Sequence, residues 1–194
     1  MSTMNTPHHP DAPRTAWPRR LALAALGATT LAGLTGCASP RTEDYATEGP
    51  VLDLRQYFNG PLKAQGLVTD RSGKVTRRFT VDLVGRWSGD EGTLEEDFRY
   101  SDGQVQRRVW RLKHEGQGRY TARADDVEGI GEGETRGNAL NLRYTLKVPV
   151  DGKEWALQVD DWLFLVDERT MINRATMRKF GVRVAELTVA FQKP

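Results

Sequence analysis

The stretch Val75-Thr76-Arg77-Arg78-Phe79-Thr80-Val81-Asp82-Leu83-Val84-Gly85-Arg86-Trp87 decides the fold. Val75, Arg77, Phe79, Val81, Leu83, Gly85 and Trp87 form one largely apolar set. Thr76, Arg78, Thr80, Asp82, Val84 and Arg86 form a more polar one. Successive side chains of a strand point to opposite faces, so a repeat of two marks a strand with one buried face. The pattern returns in Leu94, Glu96, Phe98 and Tyr100. It returns again in Leu140, Leu142, Tyr144, Leu146 and Val148, set against Asn141, Arg143, Thr145 and Lys147.

Short turn signals separate these runs: Ser72-Gly73, Asp90-Glu91-Gly92, Asp102-Gly103, Gly116-Gln117-Gly118, Gly137-Asn138 and Asp151-Gly152. Such pairs close antiparallel hairpins. No long run repeats at the helical spacing, and the nearest helical candidate is a short turn near Arg169 to Lys179. An all-β fold is therefore predicted over residues 51–194, an antiparallel up-and-down β-barrel of about 8–10 strands. Closure removes the exposed edges that a long meander would otherwise present. A two-sheet sandwich is the alternative; uniformly tight turns between long strands favour the barrel.

Four charges fall on faces that are otherwise apolar. Arg77 is in phase with Phe79 and Val81, Glu96 with Leu94 and Phe98, Arg107 with Val105 and Val109, and Arg174 with Ile172. In Asp160-Asp161-Trp162, Asp161 shares a side with Leu157, Leu163 and Leu165, and Asp160 shares one with Trp162 and Phe164. One of the two carboxylates must then face the interior, where it needs a partner or becomes protonated. These charges are expected to form a paired cluster beside an apolar cavity. An acyl chain would lie along Phe79, Leu83, Trp87, Leu142 and Tyr144, with its head group at Arg77 or Arg107, because guanidinium groups hold carboxylate and phosphate bidentately. The plainer alternative places the arginines at strand ends, pairing Glu96 and Asp161 only to hold the fold.

Patterns of covalent or metal chemistry are absent. Beyond the N-terminal segment there is one histidine, His114, before Glu115-Gly116, and it reads as a surface residue at a strand end. One histidine without a nucleophile makes neither a triad nor a zinc site. The run Asp125, Asp126, Glu128, Glu132, Glu134 lacks calcium-loop spacing and reads as a solvated loop. Gly129-Ile130-Gly131-Glu132-Gly133 lacks the strand–helix setting of a nucleotide loop. No catalytic residue, metal or cofactor is therefore assigned.

The N-terminus carries an address. Arg19 and Arg20 precede an apolar run from Leu21 to Leu34, which ends in Leu34-Thr35-Gly36-Cys37. A basic region, a short apolar core and a small-residue site make a signal peptide, and the run is too short for a comfortable membrane span. Cys37 is the only cysteine of the chain and stands at the lipobox position. The expected organisation is a lipoprotein signal peptide over 1–36, a lipidated Cys37 with a flexible tether over 37–50, and the barrel over 51–194. Ala38 and Ser39 follow the cysteine where an aspartate would favour inner-membrane retention, so the outer membrane, facing the periplasm, is the expected location.

The chain has 28 Lys and Arg against 26 Asp and Glu. Removing 1–36 removes three arginines and one aspartate, which leaves 25 of each sign. A neutral mature chain gives no nucleic-acid signal.

Asp160-Asp161-Trp162, Asp167-Glu168, Ile172-Asn173-Arg174, Lys179-Phe180-Gly181, Tyr57-Phe58-Asn59-Gly60, Trp87 and Tyr100-Ser101-Asp102-Gly103 resemble a family of bacterial lipoproteins, domain-of-unknown-function family 3833. The resemblance runs from about Leu52 to Lys193. It implies a lipocalin-like barrel and a connection with fatty acyl lipids, and it carries no catalytic residues. The expected function is a membrane-anchored envelope protein that binds or presents a fatty acid or phospholipid through Trp87, Tyr144 and the paired charges. A non-catalytic interaction module of the envelope is the second reading. An enzyme acting on lipids through Asp161, Arg174 or Tyr144 is the third.

Overall fold

The computed structural model describes residues 39–150 and 152–194. The expected signal peptide and Cys37 lie outside the described residues, as does Asp151 of the Asp151-Gly152 turn.

Ten antiparallel strands form a closed barrel: β1 (Gly60–Asp70), β2 (Val75–Ser88), β3 (Glu91–Tyr100), β4 (Val105–Gly116), β5 (Arg119–Arg123), β6 (Val127–Arg136), β7 (Ala139–Val150), β8 (Lys153–Leu165), β9 (Thr170–Lys179) and β10 (Val182–Gln192). Each strand pairs with its chain neighbours, and β1 closes the ring on β10, with Lys63 opposite Gln192 and Asp70 opposite Ala185. Among the described strands no sheet edge is left unpaired. The region expected to form a helical turn, Arg169 to Lys179, is almost all strand β9. Its inward residues, Met171, Asn173, Ala175 and Met177, include only two large apolar side chains, so the alternation is faint.

The repeat of two in β2 puts Phe79, Val81 and Leu83 inside, and Leu83 is 1% exposed. Burying each such side chain stabilises the fold by about 1.5–3 kcal/mol. The β1–β2, β3–β4, β5–β6, β7–β8 and β9–β10 turns share one end of the barrel, here called the upper end. The lower end is plugged by a one-turn helix, α1 (Leu54–Tyr57), and by Phe58. Asp53 caps α1, its Oδ1 accepting from the Arg55 backbone N–H at 2.9 Å. The Tyr57 hydroxyl donates to the carbonyls of Arg169 and Phe191, at 3.1 and 3.3 Å. Gly85 lets the plug approach β2, since a Cβ there would lie 1.9 Å from the Phe58 carbonyl oxygen.

The described part of the expected tether lies against the barrel. A 3-10 turn, Thr42–Tyr45, packs the Tyr45 ring on Trp162 and Phe164 at 5.7 and 5.2 Å between centroids. Thr42 is buried, and its hydroxyl donates to Glu134 at 3.2 Å. These contacts cover an outward-facing aromatic pair that a free spacer would leave wet. All ten strands, the closing ladder and the apolar core lie within one compact unit, Pro40–Pro194. That unit has its own core and folds as a domain.

Candidate functional site

Inside the barrel, above the α1 plug, is a cavity of about 560 Å³. Ligand cavities commonly have about 300–1,000 Å³. Leu54 and Phe58 floor it, and Phe79, Phe98, Trp110, Leu142, Leu146 and Val189 are among its apolar walls. Thr76, Arg77, Gln104 and Pro149 mark its upper rim.

A polar cluster stands on one wall of this apolar space. It draws Glu96 from β3, Arg108 from β4, Asp126 from the β5–β6 turn, Tyr144 from β7, Asp161 from β8 and Asn173 from β9. Arg108 Nε and Nη2 both donate to Asp126 Oδ2, at 2.9 and 2.5 Å. Arg108 Nη1 lies 3.9 Å from Glu96 Oε2, a charge contact but not a hydrogen bond. Asn173 Nδ2 donates to Asp161 Oδ1, and the Tyr144 hydroxyl is 3.4 Å from Asp161 Oδ2. The Tyr144 ring meets Trp110 edge-on at 5.3 Å.

Among the described residues, one cation thus faces three carboxyl groups in a buried place. Burial raises the Glu96 carboxyl to about 7, against a smaller lowering by Arg108. Burial raises Asp161 to about 6, opposed by its hydrogen bonds from Asn173 and Tyr144. Burial, then the nearby Asp161, holds the Tyr144 phenol well above its usual value, so it stays protonated and can donate. Two acceptors of the cluster, Glu96 Oε2 and Asp126 Oδ1, are shut from solvent and lack a hydrogen-bond partner among the described residues.

Of the residues singled out in the sequence, Glu96, Tyr144 and Asp161 meet in this cluster. Arg77 stands at the rim, its guanidinium 3.5 Å over the Tyr100 ring and its Nη2 2.6 Å from Gln104 Oε1 and 3.0 Å from Asp102. Arg107 and Arg174 correct the expected register. Arg107 points outward, pairing with Glu95 at 2.6 Å, because Val105 and Val109 belong to the outer face of β4. Arg174 is exposed beside outward-facing Ile172, while Asn173 turns in. Trp87 lies below the cavity, where its indole N–H donates to the Phe58 carbonyl at 3.1 Å and helps fasten the plug. Leu83 packs in the same lower layer.

Sequence reasoning missed Arg108, Asp126 and Asn173. The phase of Trp110 and Leu112 carries Arg108 inward and was the available signal. Asp126 belongs to an acidic run with the pattern of a solvated loop, but the turn between β5 and β6 folds it back onto Arg108. His114 is not a free surface residue: its Nδ1 is 3.0 Å from Asp90 and its ring lies 4.9 Å from that of Tyr120.

The family model described as "Protein of unknown function (DUF3833)" matches residues 31–193. No functionally curated protein is detectably similar in sequence. Among solved structures, the barrel is similar to the S-type phycobiliprotein lyase CPES from Guillardia theta, with a TM-score of 0.56 and 6% identity over 80% of this chain and 98% of that one. It is also similar to a protein of unknown function from the DUF3598 family of Nostoc punctiforme, with a TM-score of 0.52 and 14% identity over 76% of this chain. The match spans about half of that second protein, 51% of its length. At these identities the likeness is one of fold.

Proposed function

This chain belongs to the DUF3833 family, and from the geometry of its barrel we propose that it binds a single-chain amphiphile, its apolar part in the cavity and its polar end at the cluster around Arg108. In this reading acylated Cys37 holds the barrel to the envelope membrane, at the outer membrane and facing the periplasm. The work is binding or presentation, with no covalent step.

One observation carries the reading: a hollow of about 560 Å³ that is apolar on most walls and, below its polar rim, polar at the cluster around Arg108. An interior with no task is ordinarily filled, because protein cores pack as densely as organic crystals. A structural ion cluster could stand in a packed core; here it borders open space. Hiding the apolar part of a long-chain molecule supplies the driving force, and the cluster sets its direction.

The test is a titration of the 40–194 domain with N-phenyl-1-naphthylamine, which fluoresces in apolar surroundings. A single saturable site is expected, weakened by Leu146→Trp, which places bulk in the cavity. Unsaturable binding, or binding indifferent to Leu146→Trp, would count against the cavity as the site.

A second reading, an interaction module, has one observation in its favour. Phe180, at the tip of the β9–β10 turn, is 89% exposed, with Val182 beside it at 62%. An apolar tip of this kind suits contact with a partner surface.

A further inference from the structure

We infer that the polar end of the bound molecule is a hydrogen-bond donor, a hydroxyl or a protonated amine, seated on the bare oxygens of Glu96 and Asp126. This rests on the amphiphile reading above and names the class of head group.

Most donors of the cluster are already engaged; Arg108 Nη1, 3.9 Å from Glu96 Oε2, is the exception. Both Arg108 nitrogens that point at Asp126 are bound to its Oδ2, and Asn173 and Tyr144 are turned to Asp161. What remains is chiefly acceptor capacity. Glu96 is 7% exposed, borders the cavity, and its Oε2 has no hydrogen-bond partner among the described residues. Asp126 Oδ1 is likewise bare, on the carboxylate whose other oxygen Arg108 holds. A buried acceptor without a donor is costly, and a ligand that brings a donor removes that cost.

A carboxylate head group does the reverse. It adds acceptors where donors are few, and a negative charge beside Glu96, Asp126 and Asp161 with Arg108 as the single cation facing them among the described residues. To bind it bidentately, Arg108 would have to release Asp126, because only Nη1 is without a hydrogen bond. The expected head-group site at Arg107 is excluded by its outward direction. Arg77 has a bare Nε, but its charge is met by Asp102 at the rim, away from the cluster.

The experiment uses one chain length and three polar ends. Dodecanol, dodecylamine and laurate compete with N-phenyl-1-naphthylamine for the 40–194 domain at about pH 8. Hydrogen bonds to a charged partner are worth about 1.5–3 kcal/mol, so the amine and the alcohol should displace the probe at concentrations roughly ten-fold or more below laurate. Glu96→Gln, which keeps the shape and removes the charge, should weaken the amine more than the alcohol. If laurate competes as well as the other two, the head-group inference falls and the amphiphile reading stands. If laurate binding is also lost in Arg77→Met, the polar end lies at the rim instead. If none of the three displaces the probe, both fall.

Discussion

Arg108 grips Asp126 through a single carboxylate oxygen, with Nε at 2.9 Å and Nη2 at 2.5 Å from Oδ2, and leaves the other oxygen bare. The same guanidinium is the cation nearest to Glu96. Removing it strands three buried or half-buried carboxyl groups. Arg108→Met should therefore destabilise the domain by about 3–5 kcal/mol in urea unfolding, and Asp126→Asn in the same chain should restore part of the loss. A change within about 0.5 kcal/mol would mean that the cluster is solvated in solution.

The raised carboxyls set a pH dependence. Glu96 moves from 4.5 to about 7 and Asp161 from 3.8 to about 6, both chiefly through burial, facing Arg108, Asp126, Tyr144 and Asn173. Over that interval the folded state holds protons that the unfolded chain has released, so stability falls as pH rises. The loss is complete above about pH 7. At the acid end, Asp70, Asp82 and Asp90 are lowered by their hydrogen bonds and give up stability as they protonate. Melting temperature should peak between about pH 4 and 5 and decline towards pH 8, and Glu96→Gln should flatten that decline. A melting temperature that climbs from pH 5 to pH 8 would contradict the burial of these groups.

Arg107 and Arg174 lie outside the barrel. Exposed ion pairs are worth about 0–1 kcal/mol. Arg107→Ala and Arg174→Ala should leave probe affinity unchanged and shift stability by less than about 1 kcal/mol. A drop in affinity in either variant would place the ligand on the outer face.

Gly85 is the point where the plug meets the wall. A methyl there collides with the Phe58 backbone, and overpacking of this kind costs about 1–3 kcal/mol. Gly85→Ala should loosen α1, seen as faster amide exchange at Tyr57 and Phe58, while strands β6 and β7 keep their protection. Unchanged exchange at the plug would show that α1 does not depend on this approach.

The barrel was legible in the sequence because β2, β3 and β7 keep large apolar residues on one side, so the repeat of two stands out. It was hidden where inward positions are small or polar. In β6 the glycines Gly131 and Gly133 carry no side chain to mark a face, and in β9 Asn173 and Ala175 mark it weakly. In β4 the valines that looked like core, Val105 and Val109, are on the outer face, and this moved Arg107 in and Arg108 out. Glu96 and Tyr144 were legible from their phase alone, and Asp161 as one of two adjacent carboxylates of which one had to face inward. Asp126 was not, because a turn residue has no phase, and only the fold brings it to Arg108.

The most direct measurement is native mass spectrometry of the 40–194 domain, purified from cells without detergent. One amphiphile per barrel, carrying a hydroxyl or amine and displaced by dodecylamine, is the expected result. A barrel that is empty and takes up none of the long-chain alcohols, amines or acids offered to it would contradict the binding role.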